Sequence, residues 1–240
     1  MLTTDGHLLG GRLRYRQPAE GFRSGMEPIL LAASIRAAAG EHVLEAGTGA
    51  GAALLCLSAR VPGVSATGIE IDPDLAALAE GAAAINGFHD MTIITGDVLT
   101  APLTKPFDHA FSNPPYHGVG TASPLAARER AKRGTGSLIA AWIARLSLCL
   151  RHRGSLTLIL PAAATPAAIA ALNAAGCACT VLFPLWPKPG RDAKLVLLRG
   201  IKGTRAPMRV AAGLVLHTAE GAFTEETEAI LRRGEPLPIE

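Results

Sequence analysis

Glu45-Ala46-Gly47-Thr48-Gly49-Ala50-Gly51 lies between an apolar strand, His42 to Ala46, and a helix predicted from Ala50 to Arg60. Alternate glycines permit a tight turn and let the backbone approach a ligand closely. The helix that follows offers free N–H groups and the positive end of its dipole. A nucleotide-like cofactor is expected at such a strand-to-helix turn. The G-x-G-x-G spacing puts the third glycine one position too early for the G-x-G-x-x-G dinucleotide fingerprint, which argues against a nicotinamide cofactor.

Strand and helix alternate on both sides of this turn. Pro28 opens a helix running to about Ala39. Downstream come strand Ser65 to Ile71, helix Pro73 to Asn86, strands Met91 to Thr95 and Phe107 to Ser112, and helix Ser137 to Leu150. Strand Ser155 to Leu160, an Ala-rich helix, and strands Cys177 to Phe183 and Lys194 to Ile201 complete the order. Asp72 before Pro73 is a helix-start signature, and Thr165 before Pro166 is expected to cap the Ala-rich helix. Repeated βα units call for an α/β doubly wound parallel sheet, and the closing strands, joined by a short loop, must run antiparallel. Ligands bind outside the carboxyl ends of strands in such sheets. Glu45 and Gly47, Glu70, Asp97 and Asn113 each fall at one of those ends.

The 240 residues suffice for one domain, with an N-terminal extension over about 1–40 and an acidic C-terminal tail over about 204–240. Hydrophobic residues make up 49%, and no charged residue occurs between Arg153 and Lys188. Pro161, Pro166, Gly176 and Pro184 interrupt that run, so it reads as buried strand, helix and strand, not as a membrane span. Met1 to His7 has no apolar signal region, and a cytoplasmic protein is expected. Cys56, Cys149, Cys177 and Cys179 lack metal-site spacing and are read as inert buried thiols, with no metal expected. The net charge of +3 hides an asymmetry: six glutamates against two arginines from 220 to 240 give −4 and leave +7 elsewhere. A basic body is compatible with a nucleic-acid partner.

Asn113-Pro114-Pro115-Tyr116 ends a predicted strand. Hydrogen bonds from a planar amine to Asn113 Oδ1 and the Pro114 carbonyl would favour a tetrahedral nitrogen with an available lone pair. The two prolines fix the backbone that aims that carbonyl, and Tyr116 offers a ring for stacking. The proton can leave after transfer, so no general base is needed. His109, His117 and His152 show no triad or metal spacing and read as structural or surface residues. Together with the glycine turn, the loop resembles the S-adenosylmethionine-dependent amino-methyltransferases. That resemblance implies a Rossmann-like seven-stranded methyltransferase sheet, mostly parallel with an antiparallel last strand, and S-adenosyl-L-methionine as cofactor. It implies Asn113, Pro114 and Tyr116 as catalytic residues. The implied cofactor site comprises Glu45, Gly47, Gly49, Gly51, Glu70 with Ile71, Asp97 with Val98, and Asn113. Arg23, Ser24 and Gly25 would close over the methionine end. Glu70 would accept hydrogen bonds from the ribose hydroxyls, and Asp97 would hold the adenine.

A narrower similarity runs through Gln17-Pro18, Gly21-Phe22-Arg23-Ser24-Gly25, Pro28-x-Leu30-Leu31 and the Asn-Pro-Pro-Tyr loop. It continues through Gly120-Thr121-x-Ser123-Pro124, Trp142-Ile143, Leu185-Trp186-Pro187, Lys202-Gly203 and Leu214-Val215-Leu216-His217. These segments resemble the bacterial tRNA(Val) adenine methyltransferases, which act on the 6-amino group of adenine-37 beside the anticodon, and so imply tRNA as partner. Leu13, Tyr15 and Gln17 alternate with Arg12, Arg14 and Arg16, which puts three arginines on one face of a strand. Arg128, Arg130, Lys132 and Arg133 follow the catalytic loop, and Trp186 is near Lys188 and Arg191. Each group reads either as an RNA contact or as solvated surface. Three alternatives stay open. Glutamine methyltransferases of peptide-release factors share the loop but carry a helical substrate domain where this chain has some forty residues. Ribosomal-RNA guanine methyltransferases share it too. A non-catalytic RNA-binding protein on the same fold is a third class. Oligomeric state is not legible.

Overall fold

Alternation along the strands decides which face each side chain serves, and a computed structural model describes the result for residues 1–20, 25–103, 106–115 and 135–239. The central strands are β3 (His42–Ala46), β4 (Ser65–Glu70), β5 (Met91–Thr95) and β6 (Phe107–Ser112). β7 (Leu150–Pro161), β8 (Cys177–Trp186) and β9 (Leu195–Lys202) follow, with β1 (Thr3–Leu8) and β2 (Leu13–Pro18) at the N-terminus. The principal helices are α1 (Glu27–Ser34), α2 (Ala52–Arg60), α3 (Pro73–Ile85), α4 (Thr135–Cys149) and α5 (Thr165–Ala174). The core order is β5-β4-β3-β6-β7-β9-β8. β9 runs antiparallel to both its neighbours and the other core pairs are parallel. Beyond the seven expected strands, β10 (Arg209–Val210) and β11 (Leu214–Val215) pair in parallel with β8, so this sheet has nine strands among the described residues, and β1 and β2 form a separate two-stranded sheet. These two-residue strands have no periodicity to betray them; pairing along the β8 edge creates them.

Adjacent residues part company across the sheet. Val43, Leu197 and Ile159 enter the core beneath α1 and α2, whereas Leu44, Leu198, Leu158 and Leu160 pack with Ile143 and Leu146 of α4 and Leu172 of α5. Both faces are therefore apolar, which explains the uncharged run from 154 to 187 without a membrane. No helix among the described residues is long and apolar enough to cross one. All four cysteines are free and buried, and burial pushes the Cys56 thiol up to about 12.

Several local expectations are corrected. α1 stops at Ser34, short of Ala39, because Arg60 Nη2 donates to the carbonyls of Ala32 and Ile35 and the Arg199 guanidinium to that of Ser34. Two cations thus occupy the negative end of the helix dipole. Thr165 is the first residue of α5 and not its cap; Ala164 holds that place after a 3-10 turn, and Thr165 Oγ1 is buried without a partner. Asp72 does cap α3, accepting from the Asp74 and Leu75 N–H groups. β2 has the expected faces, with Leu13 and Tyr15 buried and Arg12, Arg14 and Arg16 exposed. Its partner β1 carries no alternating apolar signal and forms through its ladder with β2. The acidic C-terminal region packs back on the body: Leu237 N–H donates to the Ala33 carbonyl at 2.9 Å, and Leu237 and Ile239 are buried.

Replacing Arg60 by Met should keep the stem's packing but strand two helix-end carbonyls. The expected loss is about 1–3 kcal/mol, read as a lower urea midpoint at unchanged slope.

Candidate active site

β3 and β6 flank the point where the chain reverses its order across the sheet, β4 and β5 lying to one side and β7 to the other. Ala46 stands opposite Ser112 across that pair, so Gly47 and Asn113 leave neighbouring strands at the same level. The fully buried Ser112 hydroxyl donates to the Ala46 carbonyl at 2.8 Å and fixes that alignment.

Left-handed backbone explains the glycines of the turn. Gly47, Gly49 and Gly51 have φ of +69°, +56° and +90°, values that cost little only without a Cβ. Gly47 and Thr48 donate their N–H groups to the Ile69 carbonyl at 2.9 and 3.0 Å, which stitches the turn to β4. Gly51 heads α2, where a Cβ would stand 3.1 Å from that of Ala79. At Gly47 a Cβ would stand 3.0 Å from the Trp142 ring of α4. At Gly49 it would meet nothing within 4 Å, so this part of the turn faces open space.

Glu70, at the end of β4, is 7% exposed. Its Oε2 accepts the Gly49 N–H at 2.8 Å and its Oε1 the Asp72 N–H at 3.0 Å. The sequence pointed to a ligand group alone; the structure makes Glu70 also the pin between the glycine turn and the entry to α3. A carboxylate has about four lone-pair sites, so acceptor capacity remains. Ile71 follows with an apolar side chain 52% exposed. At the end of β5, exposed Asp97 accepts the Leu99 N–H at 2.9 Å and Val98 is buried. Glu45 is buried on β3, and Thr48 Oγ1 donates to its Oε2 at 2.7 Å. Desolvation, reinforced by the nearby Glu70 charge, raises its pKa to about 8 against the hydrogen bonds from Thr48 and Leu54.

Asn113 is half-buried and Pro114 buried, while Gly25 is exposed ahead of α1. Arg23, Ser24, Tyr116, His117, Arg128, Arg130, Lys132 and Arg133 lie outside the described residues. The structure therefore gathers Glu45, Gly47, Gly49, Gly51, Glu70, Ile71, Asp97, Val98 and Asn113 along the carboxyl edge of four adjacent strands. Open space at Gly49, an acid with spare lone pairs and an exposed apolar side chain fit an adenosine with a polar tail. No group of His, Cys, Asp or Glu suited to a metal occurs among the described residues.

Other expected residues sit elsewhere. Arg14 exchanges backbone hydrogen bonds with the Asn86 side chain at the C-terminal end of α3. Thirteen residues at 1.5 Å put that end about 20 Å from the strand edge. Arg12 donates to the Arg233 carbonyl and Arg16 pairs with Asp5 at 2.6 Å. These arginines do not surround the Asn113 loop. Trp186 is on the active edge but across three strand spacings, about 14 Å. Its N–H is taken by the Ala212 carbonyl and Lys188 Nζ by that of Ala219. His109 belongs to the opposite edge, between Ser155 Oγ at 2.7 Å and Glu41 Oε2 at 3.1 Å, and burial lowers its pKa. Sequence reasoning gave Trp142 no role; its contact with Gly47 joins residues ninety-five apart and leaves no local signal.

The profile of the family described as "methyltransferase small domain" matches residues 27–160. A Porphyromonas gingivalis protein named tRNA1(Val) (adenine(37)-N6)-methyltransferase is 36% identical over 149 residues, spanning 58% of this chain and 58% of that one. The release factor glutamine methyltransferase of Deinococcus radiodurans is 40% identical over 75 residues, 31% of this chain and 26% of its own. In fold, a solved Agrobacterium tumefaciens protein described as a predicted O-methyltransferase superposes with a TM-score of 0.74 at 24% identity, covering 89% of this chain and 99% of that one.

The Glu45 proton makes a prediction for the ligand-free protein. Its folded pKa, about 8, exceeds the reference 4.5, so its contribution is complete below pH 4.5 and is lost as pH rises through 8. Stability should decline across that window by up to about 1.4 kcal/mol per pH unit. Glu45→Gln should remove the decline, measured as urea midpoint against pH.

Proposed function

Because this chain belongs to the methyltransferase small domain family, whose fold and cofactor, S-adenosyl-L-methionine, it shares, we propose that it methylates the exocyclic 6-amino group of an unpaired adenine in tRNA, with adenine-37 of tRNA(Val) as the target. The observation that carries this reading is the common level at which Gly47 and Asn113 leave β3 and β6. One site holds the cofactor and the other the acceptor, across a single strand spacing.

S-adenosyl-L-methionine supplies an electrophilic methyl group on a sulfonium. The residues present fit it. Open space at Gly49 admits close approach, Glu70 retains lone pairs for ribose hydroxyls, and exposed Ile71 offers an apolar surface for adenine. Asn113 Oδ1 and the Pro114 carbonyl accept the two amine N–H groups, which turns the nitrogen lone pair out of conjugation with the ring. Tyr116 would offer its ring to the base. Methyl transfer to the nitrogen would break the bond from methyl to sulfur and release a neutral thioether, and the amine proton would then leave to water, so the site needs no base.

The adenine reading draws support from the name of the Porphyromonas relative. The glutamine reading draws support from the Deinococcus relative, over about a quarter of that protein. An unpaired loop base costs less to extrude than a paired one, which suits an anticodon-loop target.

Asn113→Ala should reduce turnover on the order of a hundredfold, as for loss of one preorganised polar group, with cofactor affinity by calorimetry nearly unchanged. Parallel losses in both would join the two halves of the site and refute their division of labour.

Supplied with labelled cofactor, total tRNA and purified release factor, the protein should label tRNA at an adenine 6-amino group. Label on release factor alone would overturn the substrate assignment.

A further inference from the structure

We propose that the groove between the β1–β2 hairpin and α3 is a second RNA-contact site, taking a ribose–phosphate segment of the substrate well away from the methylated base. The inference rests on the tRNA reading above.

The groove encloses about 480 Å³, within the usual range for small-ligand sites. Its floor is one face of α3. Ala77, Gly81 and Ile85 recur every fourth residue and so lie one above another. None is charged, and Ile85 is 56% exposed. Buried Tyr15 forms part of the inner wall.

Gly81 is the decisive residue. It sits in the interior of α3, exposed, with no positive φ, and a Cβ there would meet nothing within 4 Å. A helix-interior glycine costs about 1 kcal/mol relative to alanine. No turn or close packing within the chain offsets that cost. The empty space over Gly81 is then explained by close approach of a group from outside the chain.

The rim identifies that group. His7, Arg14 and Arg16 stand over the floor, and Asp5 neutralises one arginine through its 2.6 Å pair with Arg16. Two guanidiniums against one carboxylate leave the rim one net positive charge. Arg14 is held in place because Asn86 grips both its N–H and its carbonyl. A guanidinium of fixed origin above an apolar floor suits a phosphodiester at the rim and a sugar or base below. The distance of about 20 Å along α3 from the carboxyl edge is easily bridged by a folded RNA and not by a lone nucleotide, so the site would grip the RNA body while the edge works on one base.

Gly81→Met tests this with effects of opposite sign. A good helix former placed in open space should hold or raise the melting temperature, and cofactor affinity should not change. The KM for tRNA should rise about tenfold because the groove is filled. Arg14→Gln should weaken tRNA binding in the same direction and flatten its log–log salt dependence by roughly 0.7, one single-strand phosphate contact. If the wild type methylates tRNA and Gly81→Met does so with an unchanged KM, the groove is not an RNA site. A variant that loses cofactor affinity along with tRNA also overturns the proposal, since the effect then reaches the catalytic edge. Labelling of release factor and not tRNA by the wild type refutes the proposed function itself, and this inference with it.

Discussion

One carboxylate holds the active edge together. Glu70 accepts the Gly49 N–H with one oxygen and the Asp72 N–H with the other, so the turn after β3 and the start of α3 are referenced to the same strand end. The Gly47 and Thr48 bonds to the Ile69 carbonyl add a second tie one residue earlier. The backbone of the turn is thereby held in a single arrangement. Charge-assisted bonds of this kind are stronger than neutral ones, so a side chain suited to ligand recognition also sets the geometry into which a ligand fits. The adjacent acid illustrates the contrast: Glu45, buried and bonded to Thr48, is kept neutral near pH 7 and adds no second negative charge beneath the turn.

A second constraint joins the chain termini to the sheet. Arg60 and Arg199 approach the C-terminal end of α1 from different elements and take its last carbonyls. Removing a guanidinium from water is expensive, and burial lowers the Arg60 pKa accordingly. The expense is offset because unpaired helix-end carbonyls would be left in the same apolar surroundings. Leu237 then bonds to Ala33, which brings the C-terminal segment onto α1, and Arg12 bonds to Arg233 of that segment.

The two edges of the sheet are chemically unlike. At the amino edge, Glu41, Asp108, His109 and Arg151 form a linked network of ion pairs and hydrogen bonds, with Asp108 also accepting the His42 N–H. Its partners satisfy one another, so it closes the sheet. At the carboxyl edge, acceptor capacity is left over at Glu70, whose two hydrogen bonds use about half of its lone-pair sites. Parallel strands produce this asymmetry, since every βα turn places a helix N-terminus on one edge only.

Particular residues show where sequence reading succeeds. The glycine turn, the Asp72–Pro73 helix start and the alternation of Leu13 and Tyr15 with three arginines all reflect local rules: a positive φ, a capping carboxylate, a two-residue period. Each was legible because cause and effect lie within a few residues. The order of acids and Asn113 at strand ends was legible for a related reason, as the βα repeat determines which edge each loop must join. Only the tertiary structure could decide the end of α1, which depends on arginines 25 and more than 160 residues away. The same holds for β1, β10 and β11, which exist through their ladders, for Trp142 on Gly47, and for the second duty of Glu70. It also separated the arginine face from the carboxyl edge of the sheet, because Asn86 fixes Arg14 at the far end of α3. Local chemistry is written in neighbouring residues, whereas contacts between distant segments depend on the energy of packing them together, and no single segment records that.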